Sequence, residues 1–190
     1  MKTLYISLKI FLFFTILTGI IYPLFVTGIS QLAFSANANG SLISRNNKIV
    51  GSALIGQRFD SIIYFSSRPS AVSYNPLPSG GSNFGLTNSK LKHNVDSLRK
   101  QFIFNNLLDS TAAIPSEMLF ASASGLDPHI SPPSALLQVE RIAKARHFDI
   151  SQKQRLLQSI NELSEKPAFM MLGQERINVL LLNLKLDEIK

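Results

Sequence analysis

An aspartate and a histidine close together in one loop are the residues best suited to chemistry. Asp127 and His129 are separated by one proline, and Ser131 follows two residues later. A carboxylate beside an imidazole can bind a metal ion or exchange protons with a substrate. However, Asp-Pro is also a common turn start, and two ligands do not complete a metal site. His93 and His147 are expected on helix surfaces, so no third partner is evident.

A glycine-rich tetrapeptide is the second candidate site. Residues 79–82 read SGGS, and backbone N–H groups at glycines can approach an anion closely. The segment lacks the Gly-Lys-Ser/Thr continuation of a Walker A phosphate loop. A tight turn in which Gly80 and Gly81 supply positive φ is the alternative. Arg68, which precedes Pro69, can pair with a carboxylate, contact a partner or act as a buried structural arginine.

Three amphipathic helices are expected to position these loops. Each begins at a candidate cap and presents apolar residues at intervals of three and four. The predicted caps are Asn88, Ser131 with Pro132 at the first helical position, and either Asp149 or Ser151. The second helix is expected to end near Phe148 and the third before Pro167. The residues predicted to face the core are Leu91, Val95, Leu98, Phe102, Leu136, Val139, Ile142, Ala143, Leu156, Leu157, Ile160 and Leu163.

Strands are expected to be few and short. Lys48–Ile55 and Ile62–Phe65 each predict one, and Arg176–Asn183 predicts a buried strand whose asparagines need hydrogen-bond partners. Ser66–Ser89 and Ile114–Ser131 show no such period and predict long loops. The predicted body is thus one mixed α/β domain, of the α+β kind, with long Gly/Pro/Ser-rich loops.

The amino-terminal region contains an uncharged run, Ile10–Phe34, that predicts a single transmembrane helix. Its dense part, Ile10–Ile29, has thirteen Leu, Ile, Phe or Val side chains, and each of them favours insertion. About 20 helical residues span roughly 30 Å, the thickness of a bilayer's hydrocarbon core. A cleavable signal peptide is the alternative, because Ala36-Asn37-Ala38 resembles a cleavage site. The apolar core of a signal peptide is usually shorter than this run, at about 7–15 residues.

Positive charge indicates the orientation of this helix. Lys2 and Lys9 precede it, and the next basic residue is Arg45. Basic residues close to one end of a span favour the cytoplasmic side for that end. The predicted arrangement is 1–9 in the cytoplasm, 10–34 in the cell (inner) membrane, 35–47 as a linker and 48–190 as an extracytoplasmic domain.

Small residues recur every four positions within the predicted span. Such spacing lets a neighbouring membrane helix approach closely, although the same residue types are simply common in membrane helices. Both interpretations remain open. The residues concerned are Thr15, Gly19, Pro23 and Thr27.

The composition and net charge of the chain exclude several classes of function. The 190 residues leave about 150 after the anchor, which suits one domain. The net charge of +7 comes without an aromatic-rich basic patch, so no nucleic-acid partner is expected. The chain has no cysteine, which excludes disulfides, thiolate nucleophiles and cysteine-based metal sites.

Short motifs run in order through nearly the whole chain. They are Gly51-Ser52, Leu54–Gln57 before Phe59, Tyr64-Phe65, Arg68–Ala71, Tyr74-Asn75, Ser79–Asn83 with Gly85, Thr87 and Asn88, Ser124–Ser131, Gln138-Val139 with Arg141–Ala143 and Arg146, and Asn178–Leu180 with Leu182-Asn183 and Leu186. With them the chain resembles the KdpC family, the C subunits of bacterial and archaeal Kdp potassium-transporting P-type ATPases. The family usually has proline at Leu86 and Ser89, threonine at Phe120 and glycine at Ala123. If that glycine requires positive φ, Ala123 would be strained.

The resemblance implies a subunit of a four-subunit pump that uses ATP and K⁺, with no cofactor expected to bind this chain directly. The implied partners are a potassium-conducting subunit, an ATP-hydrolysing subunit, a small third subunit and the lipid bilayer. The resemblance also implies that one loop is similar to an ATP signature. It implies further that this subunit raises the nucleotide affinity of the ATP-hydrolysing subunit. That loop consists of Ser79, Gly80, Gly81, Ser82 and Asn83. The implied interface or structural residues are Arg68, Pro69, Gly125, Asp127, Pro128, His129, Asn178 and Asn183.

The predicted orientation puts the 79–83 loop outside the cytoplasm, where ATP is scarce. We therefore expect a non-catalytic accessory subunit that caps the potassium entrance, with any effect on ATP affinity transmitted through the complex. Two other hypotheses remain. One is a membrane-tethered hydrolase that uses Asp127 and His129, and the other is an exported binding protein released after Ala38.

Overall fold

The computed structural model describes residues 2–189, which form two compact units. The first unit ends at Ser52 and the second begins at Ala53. Within the described residues, the first unit contains a long helix and a β-hairpin. The second unit combines helices with a very short two-stranded ladder, so the predicted mixture of helix and strand is present.

One uninterrupted helix occupies Lys2–Ala33. It consists of α1 (Lys2–Ile16), a π-helical turn (Leu17–Ile21) and α2 (Tyr22–Ala33). The predicted helix over 10–34 is thus present, but it begins eight residues earlier and includes both lysines. Its most apolar window has a mean hydropathy of 2.2 and no buried residue. The helix is therefore long and apolar enough to cross a membrane.

Pro23 accounts for the π turn. A proline has no N–H, and its ring clashes with the carbonyl four residues earlier, here that of Gly19. The turn relieves this clash, and the Tyr22 N–H donates to the Leu17 carbonyl, five residues back. The predicted packing residues are distributed over all three segments: Thr15 in α1, Gly19 in the π turn, and Pro23 and Thr27 in α2.

A β-hairpin follows the long helix. β1 (Leu42–Arg45) pairs antiparallel with β2 (Lys48–Ser52). Asn46 and Asn47 between them have φ values of 50° and 61°. Two consecutive residues with positive φ form the type I′ turn that matches the twist of paired strands, and asparagine tolerates this conformation.

The hairpin corrects two boundaries. The predicted strand Lys48–Ile55 ends at Ser52. The predicted linker, 35–47, contains the partner strand β1 and the short helix α3 (Ser35–Ala38). A four-residue strand has too few alternations to stand out in the sequence.

Helices dominate the second unit. They are α4 (Ser89–Asn105), α5 (Pro132–Leu136), α6 (Val139–Ala145), α7 (Ile150–Glu162) and α8 (Val179–Leu186), with a 3₁₀ turn at Ser116–Met118. The three predicted caps are confirmed: Asn88 accepts from the Lys90 N–H at 2.8 Å, Ser131 accepts from the Ser134 N–H at 3.4 Å, and Asp149 forms a capping box with Gln152. On α7, Leu156 and Ile160 are fully buried, as predicted.

The helix predicted from Ser131 to about Phe148 is in fact two helices, α5 and α6. Gln138 lies at the break, where its buried amide donates to the Ser134 carbonyl at 3.2 Å and accepts from the Ser66 N–H at 2.8 Å. A buried amide has to keep such hydrogen bonds. Leu136, before the break, is exposed instead of buried. The residues buried as predicted are Val139, Ile142 and Ala143.

The prediction of a buried strand over Arg176–Asn183 is wrong beyond its first residues. β4 (Ile177–Asn178) pairs with β3 (His129–Ile130), and α8 begins directly afterwards. Asn178 caps this helix, because its side-chain oxygen accepts from the Leu181 N–H at 3.1 Å. A run of Val and Leu that is buried on all sides has the same composition in a helix as in a central strand.

The strand predicted at Ile62–Phe65 is also wrong, because side chains take the place of a partner strand. Asn183 accepts from the Phe65 N–H at 2.8 Å and donates to the Phe65 carbonyl at 3.0 Å. Arg146 Nε donates to the carbonyl of residue 63 at 2.8 Å, and Arg141 donates to that of residue 62. These side chains thereby satisfy the Phe65 N–H and three carbonyls of the segment without a ladder.

The core of the second unit joins the helices to the β3–β4 ladder. Residues 66–88 contain neither helix nor strand, as the composition predicts. The largest fully buried side chains of this core are Phe65, Ile130, Ile142, Leu156, Ile160, Ile177, Leu182 and Leu186.

Candidate functional site

Three irregular segments of the second unit meet and bring most of the predicted site residues together. The Gly56 N–H donates to the Leu126 carbonyl at 2.7 Å, and the Gly80 N–H donates to the Ser124 carbonyl at 2.9 Å. We call this meeting point the loop junction. Its segments are 53–57, 66–83 and 122–131.

The two residues predicted to do chemistry lie at its centre. Arg68 Nη1 donates to Asp127 Oδ2 at 2.6 Å, and the His129 N–H donates to Asp127 Oδ1 at 3.0 Å. The His129 ring is adjacent, with Nδ1 3.4 Å from the same oxygen. One carboxylate therefore connects the segment that contains Arg68 to the start of β3.

The environment of Asp127 makes its carboxyl group strongly acidic. Burial by itself would raise the pKa, but hydrogen bonds from His129 and the charge and hydrogen bond of Arg68 outweigh it and lower the pKa from 3.8 to about 2. A general base works best with a pKa near the operating pH. The carboxylate is thus suited to holding the loops and poorly suited to proton transfer.

Glu117 is a site residue that the sequence reasoning missed. Its Oε1 accepts from the Ser131 N–H at 2.7 Å and from the Ser134 hydroxyl at 2.6 Å. Burial opposes ionisation, yet these hydrogen bonds from the start of α5 lower its pKa. A helix start stabilises negative charge. A glutamate between Ser116 and Met118 carries no local signal of this contact.

A cleft of about 450 Å³ opens beside the Asp127 cluster. Its lining combines both signs of charge: Arg68, Glu117, Asp127, His129, Lys166, Glu175 and Arg176. Arg68 Nε is buried at its edge without a hydrogen-bond partner among the described residues. Residues 2–189 contain no group of three side chains that would hold a metal ion.

The SGGS loop packs against the 122–126 segment. The Gly80 N–H is engaged by Ser124, and a Cβ on Gly81 would lie 3.3 Å from the Ala123 carbonyl. The prediction that both glycines adopt positive φ is wrong, since Asn83, with φ 53°, is the residue of this loop in that region. Gly81 is the glycine that makes a close approach, since an added Cβ on Gly80 would have no atom within 4 Å. The N–H that an anion cradle would use at Gly80 is occupied.

Gly125 is a junction glycine with positive φ, at +70°. An added Cβ would lie 2.6 Å from Val72 Cγ2 and 2.9 Å from the Gly80 carbonyl. Ala123 is not in the left-handed region, so the strain considered for it does not arise. The conformational demand falls two residues later than expected.

Asn178 and Pro128 attach the junction to the helical core. Asn178 Nδ2 donates to the Ala53 carbonyl at 2.7 Å, and the Val179 N–H donates to the Pro128 carbonyl at 2.9 Å. The predicted need of the buried asparagines for partners is therefore met at both Asn178 and Asn183. These bonds fix the start of α8 against two of the three loop segments.

Arg141 is a second residue that the sequence reasoning left without a role. It is buried, and burial lowers its pKa to about 10. Its Nε donates to Asn106 Oδ1 at 2.8 Å and its Nη2 to Gln138 Oε1 at 2.9 Å. The signal for it was an arginine within an otherwise apolar helical face. The side chain also lines a groove of about 880 Å³ together with Arg68, Pro69 and Ser82.

Comparison with known proteins identifies the family of this chain. The family model described as KdpC, the c chain of the K⁺-transporting ATPase, matches residues 4–188.

The chain belongs to the KdpC family.

Its relatives match over nearly their whole length. The potassium-transporting ATPase KdpC subunit of Pectobacterium atrosepticum is 45% identical over 193 residues, which cover 100% of this chain and 98% of the relative. That of Photorhabdus laumondii is 44% identical over 190 residues, covering 96% and 94%. That of Leptospira interrogans is 46% identical over 182 residues, covering 96% and 92%.

Proposed function

We propose that this KdpC-family chain is a membrane-anchored, non-catalytic accessory subunit of an ATP-driven, high-affinity potassium uptake complex. The observation that carries the proposal is the family match over residues 4–188. The relatives are named as subunits of potassium-transporting ATPases. The proposed partners are a potassium-conducting subunit, an ATP-hydrolysing subunit and a small third subunit.

The helix Lys2–Ala33 is proposed to span the membrane with its amino terminus in the cytoplasm. Its length and mean hydropathy support the span. Lys2 and Lys9 at one end, and the distance to Arg45 at the other, support the orientation. Residues 53–190 then lie outside the cytoplasm and are available as a cap over the potassium entrance.

The loop junction favours an indirect effect on ATP affinity. The Gly80 N–H is bonded to Ser124, so the SGGS loop is a packing element more than an open anion cradle. Asp127 is held by Arg68 and His129 at a pKa of about 2, which does not favour a hydrolase. The subunit thus acts through its contacts in the complex.

Reconstitution tests the accessory role. Co-expression with the three proposed partner subunits should give a complex that survives mild detergent and hydrolyses ATP in response to K⁺. The same preparation without this chain should lose that activity, and the chain alone should have none. Potassium-stimulated hydrolysis that is unchanged without the chain contradicts the proposal, and so does turnover by the isolated chain.

Cysteine labelling tests the orientation, because the chain has no cysteine of its own. Ser82→Cys in the junction and Thr3→Cys at the amino-terminal end of the long helix are a matched pair of single-thiol variants. A membrane-impermeant maleimide should label Ser82→Cys in intact spheroplasts and Thr3→Cys after lysis. The reverse pattern contradicts the proposed topology.

A further inference from the structure

A projecting hairpin of the second unit ends in four consecutive exposed apolar side chains. Phe169, Met170, Met171 and Leu172 are 89%, 87%, 85% and 65% exposed. We call these four residues the apolar tip. Large apolar side chains are normal on a surface when scattered singly, whereas a contiguous group marks a contact with a protein or a membrane.

The hairpin has a defined structure behind this tip. Glu165 and Arg176 exchange backbone hydrogen bonds of 2.8 and 3.1 Å, and their side chains form an ion pair of 2.9 Å. Ala168 and Leu172 exchange a second pair, each of 2.9 Å. The tip is therefore held away from the core by its own stem.

The turn itself is poorly suited to water. Phe169 and Met170 have φ values of 54° and 59°, a conformation that asparagine and glycine adopt more easily. Strain of this kind persists where the surrounding structure or a function requires it. Both side chains are also exposed to water, which is unfavourable for large apolar groups.

The same turn is well suited to an apolar phase. The N–H groups of Ala168, Met170, Met171 and Leu172 all donate to carbonyls of residues 167, 168 and 172. No side chain from Pro167 to Gln174 is charged. These four internal bonds lower the cost of approaching lipid, where no water replaces a missing bond.

We infer that the apolar tip inserts into the interfacial region of the bilayer and gives the second unit a contact with lipid besides the amino-terminal helix. The inference rests on the membrane anchoring proposed above.

A unit of roughly 140 residues has a radius of gyration of about 14 Å, so its chain connection keeps every surface within a few tens of Å of the bilayer. Such tethering gives even weak insertion a high effective concentration of lipid. Phe, Met and Leu are side chains that interfacial segments bury at the headgroup boundary.

The absence of tryptophan from the chain allows a direct test. Phe169→Trp in the full chain, reconstituted in phosphatidylcholine vesicles with acyl chains brominated near the headgroup, should give blue-shifted emission. Its quenching should be severalfold stronger than that of Phe104→Trp. Phe104 is a matched control because it is an 81% exposed phenylalanine on α4. Adding Met170→Ser and Met171→Ser to the Phe169→Trp chain should reduce the quenching.

A second reporter separates this inference from the anchor proposal. Tyr22→Trp lies within the long helix and should be quenched by lipids brominated deep in the acyl chain. Quenching at position 22 with none at position 169 overturns the inference and leaves the anchor intact. Equal quenching at positions 169 and 104 overturns it as well. Shielding of position 169 that appears only after the partner subunits are added assigns the tip to a protein pocket, which also overturns it. Loss of quenching at position 22 contradicts the anchor itself.

Discussion

Asp127 holds together parts of the chain that are far apart in sequence. Its two oxygens accept from Arg68, which is 59 residues away, and from the backbone of His129. The carboxylate is well shielded, with 29% of the side chain exposed. At the scale of single residues, the junction is thus a charged contact that fixes loops.

Asp127→Asn tests this contact through its pH dependence. The folded-state pKa, about 2, lies below the usual 3.8, so the carboxylate stabilises the folded state above about pH 4, and this contribution is lost as the pH falls toward 2. Near neutral pH the variant should be less stable by about 1–2 kcal/mol, a figure reduced for partial exposure. Urea unfolding in detergent micelles, near neutral pH and at about pH 3, measures the stability of the variant and of the natural chain. The difference between the two should be smaller at the lower pH. Asp109→Asn, at an exposed carboxylate, should show little change, and equal stability of Asp127→Asn and the natural chain near neutral pH contradicts the role.

Gly125→Ala tests the close packing of the junction. The substitution places a Cβ at positive φ and 2.6 Å from Val72 Cγ2, so we expect a loss of about 2–4 kcal/mol in the free energy of unfolding. Gly85→Ala is the control, because its added Cβ would have no atom within 4 Å. Thermal or urea unfolding of both variants provides the measurement. A Gly125→Ala chain as stable as Gly85→Ala would show that the loops adjust without cost.

α8 organises the unit at the scale of secondary structure. Asn178 at its start bonds to Ala53, and Asn183 in its middle bonds to Phe65. Near its end, Asp187 accepts from Arg146 at 2.7 Å and from the Tyr64 hydroxyl at 3.2 Å. One short helix thereby fixes two irregular segments to the core.

Asn183→Ala should remove the most demanding of these contacts. The substitution leaves the buried N–H and carbonyl of Phe65 without partners, so we expect a loss of about 2–4 kcal/mol in stability. Asn161→Ala, at an exposed position on α7, should be nearly neutral. Hydrogen exchange at the Phe65 amide is a second measurement, and it should accelerate in the first variant. Unchanged protection there would mean that another group takes over the hydrogen bond.

At the scale of the whole molecule, the proposed role depends on a helix that stays attached. The long helix and the folded unit belong to one family match that runs from residue 4 to residue 188. Helix insertion and domain folding are governed by different physical terms, namely transfer into lipid and core packing.

An intact anchor predicts the mass and the fractionation of the protein. The chain isolated from membranes should have the full mass of 21.0 kDa and should remain in the membrane pellet after an alkaline carbonate wash. Substitution of Leu17 and Ile20 by Arg should release it, because each arginine at a helix centre opposes insertion by about 2.5–3.5 kcal/mol. A mature amino terminus at Asn39, with the protein in the soluble fraction, would support release after Ala38 and contradict the anchor.

The sequence by itself determined the elements whose signals are local. An uncharged apolar run predicts the amino-terminal helix, and caps with helical spacing predict α4 and α7. The KdpC motifs indicated the family before any fold was considered. The contact between Asp127 and His129 is also local, because the two residues are only two positions apart.

Tertiary structure decided the elements whose partners are distant. The predicted carboxyl-terminal strand is limited to Ile177–Asn178, where the distant β3 supplies the pairing, and the segment 62–65 is irregular because Asn183, 118 residues from Phe65, supplies hydrogen bonds to it. The role of Glu117 and the break at Gln138 also depend on partners that are distant in sequence. The bond between Gln138 and Ser66 spans 72 residues. Periodicity reports which face of an element is buried, but it does not report which side chain will satisfy a backbone group across the fold.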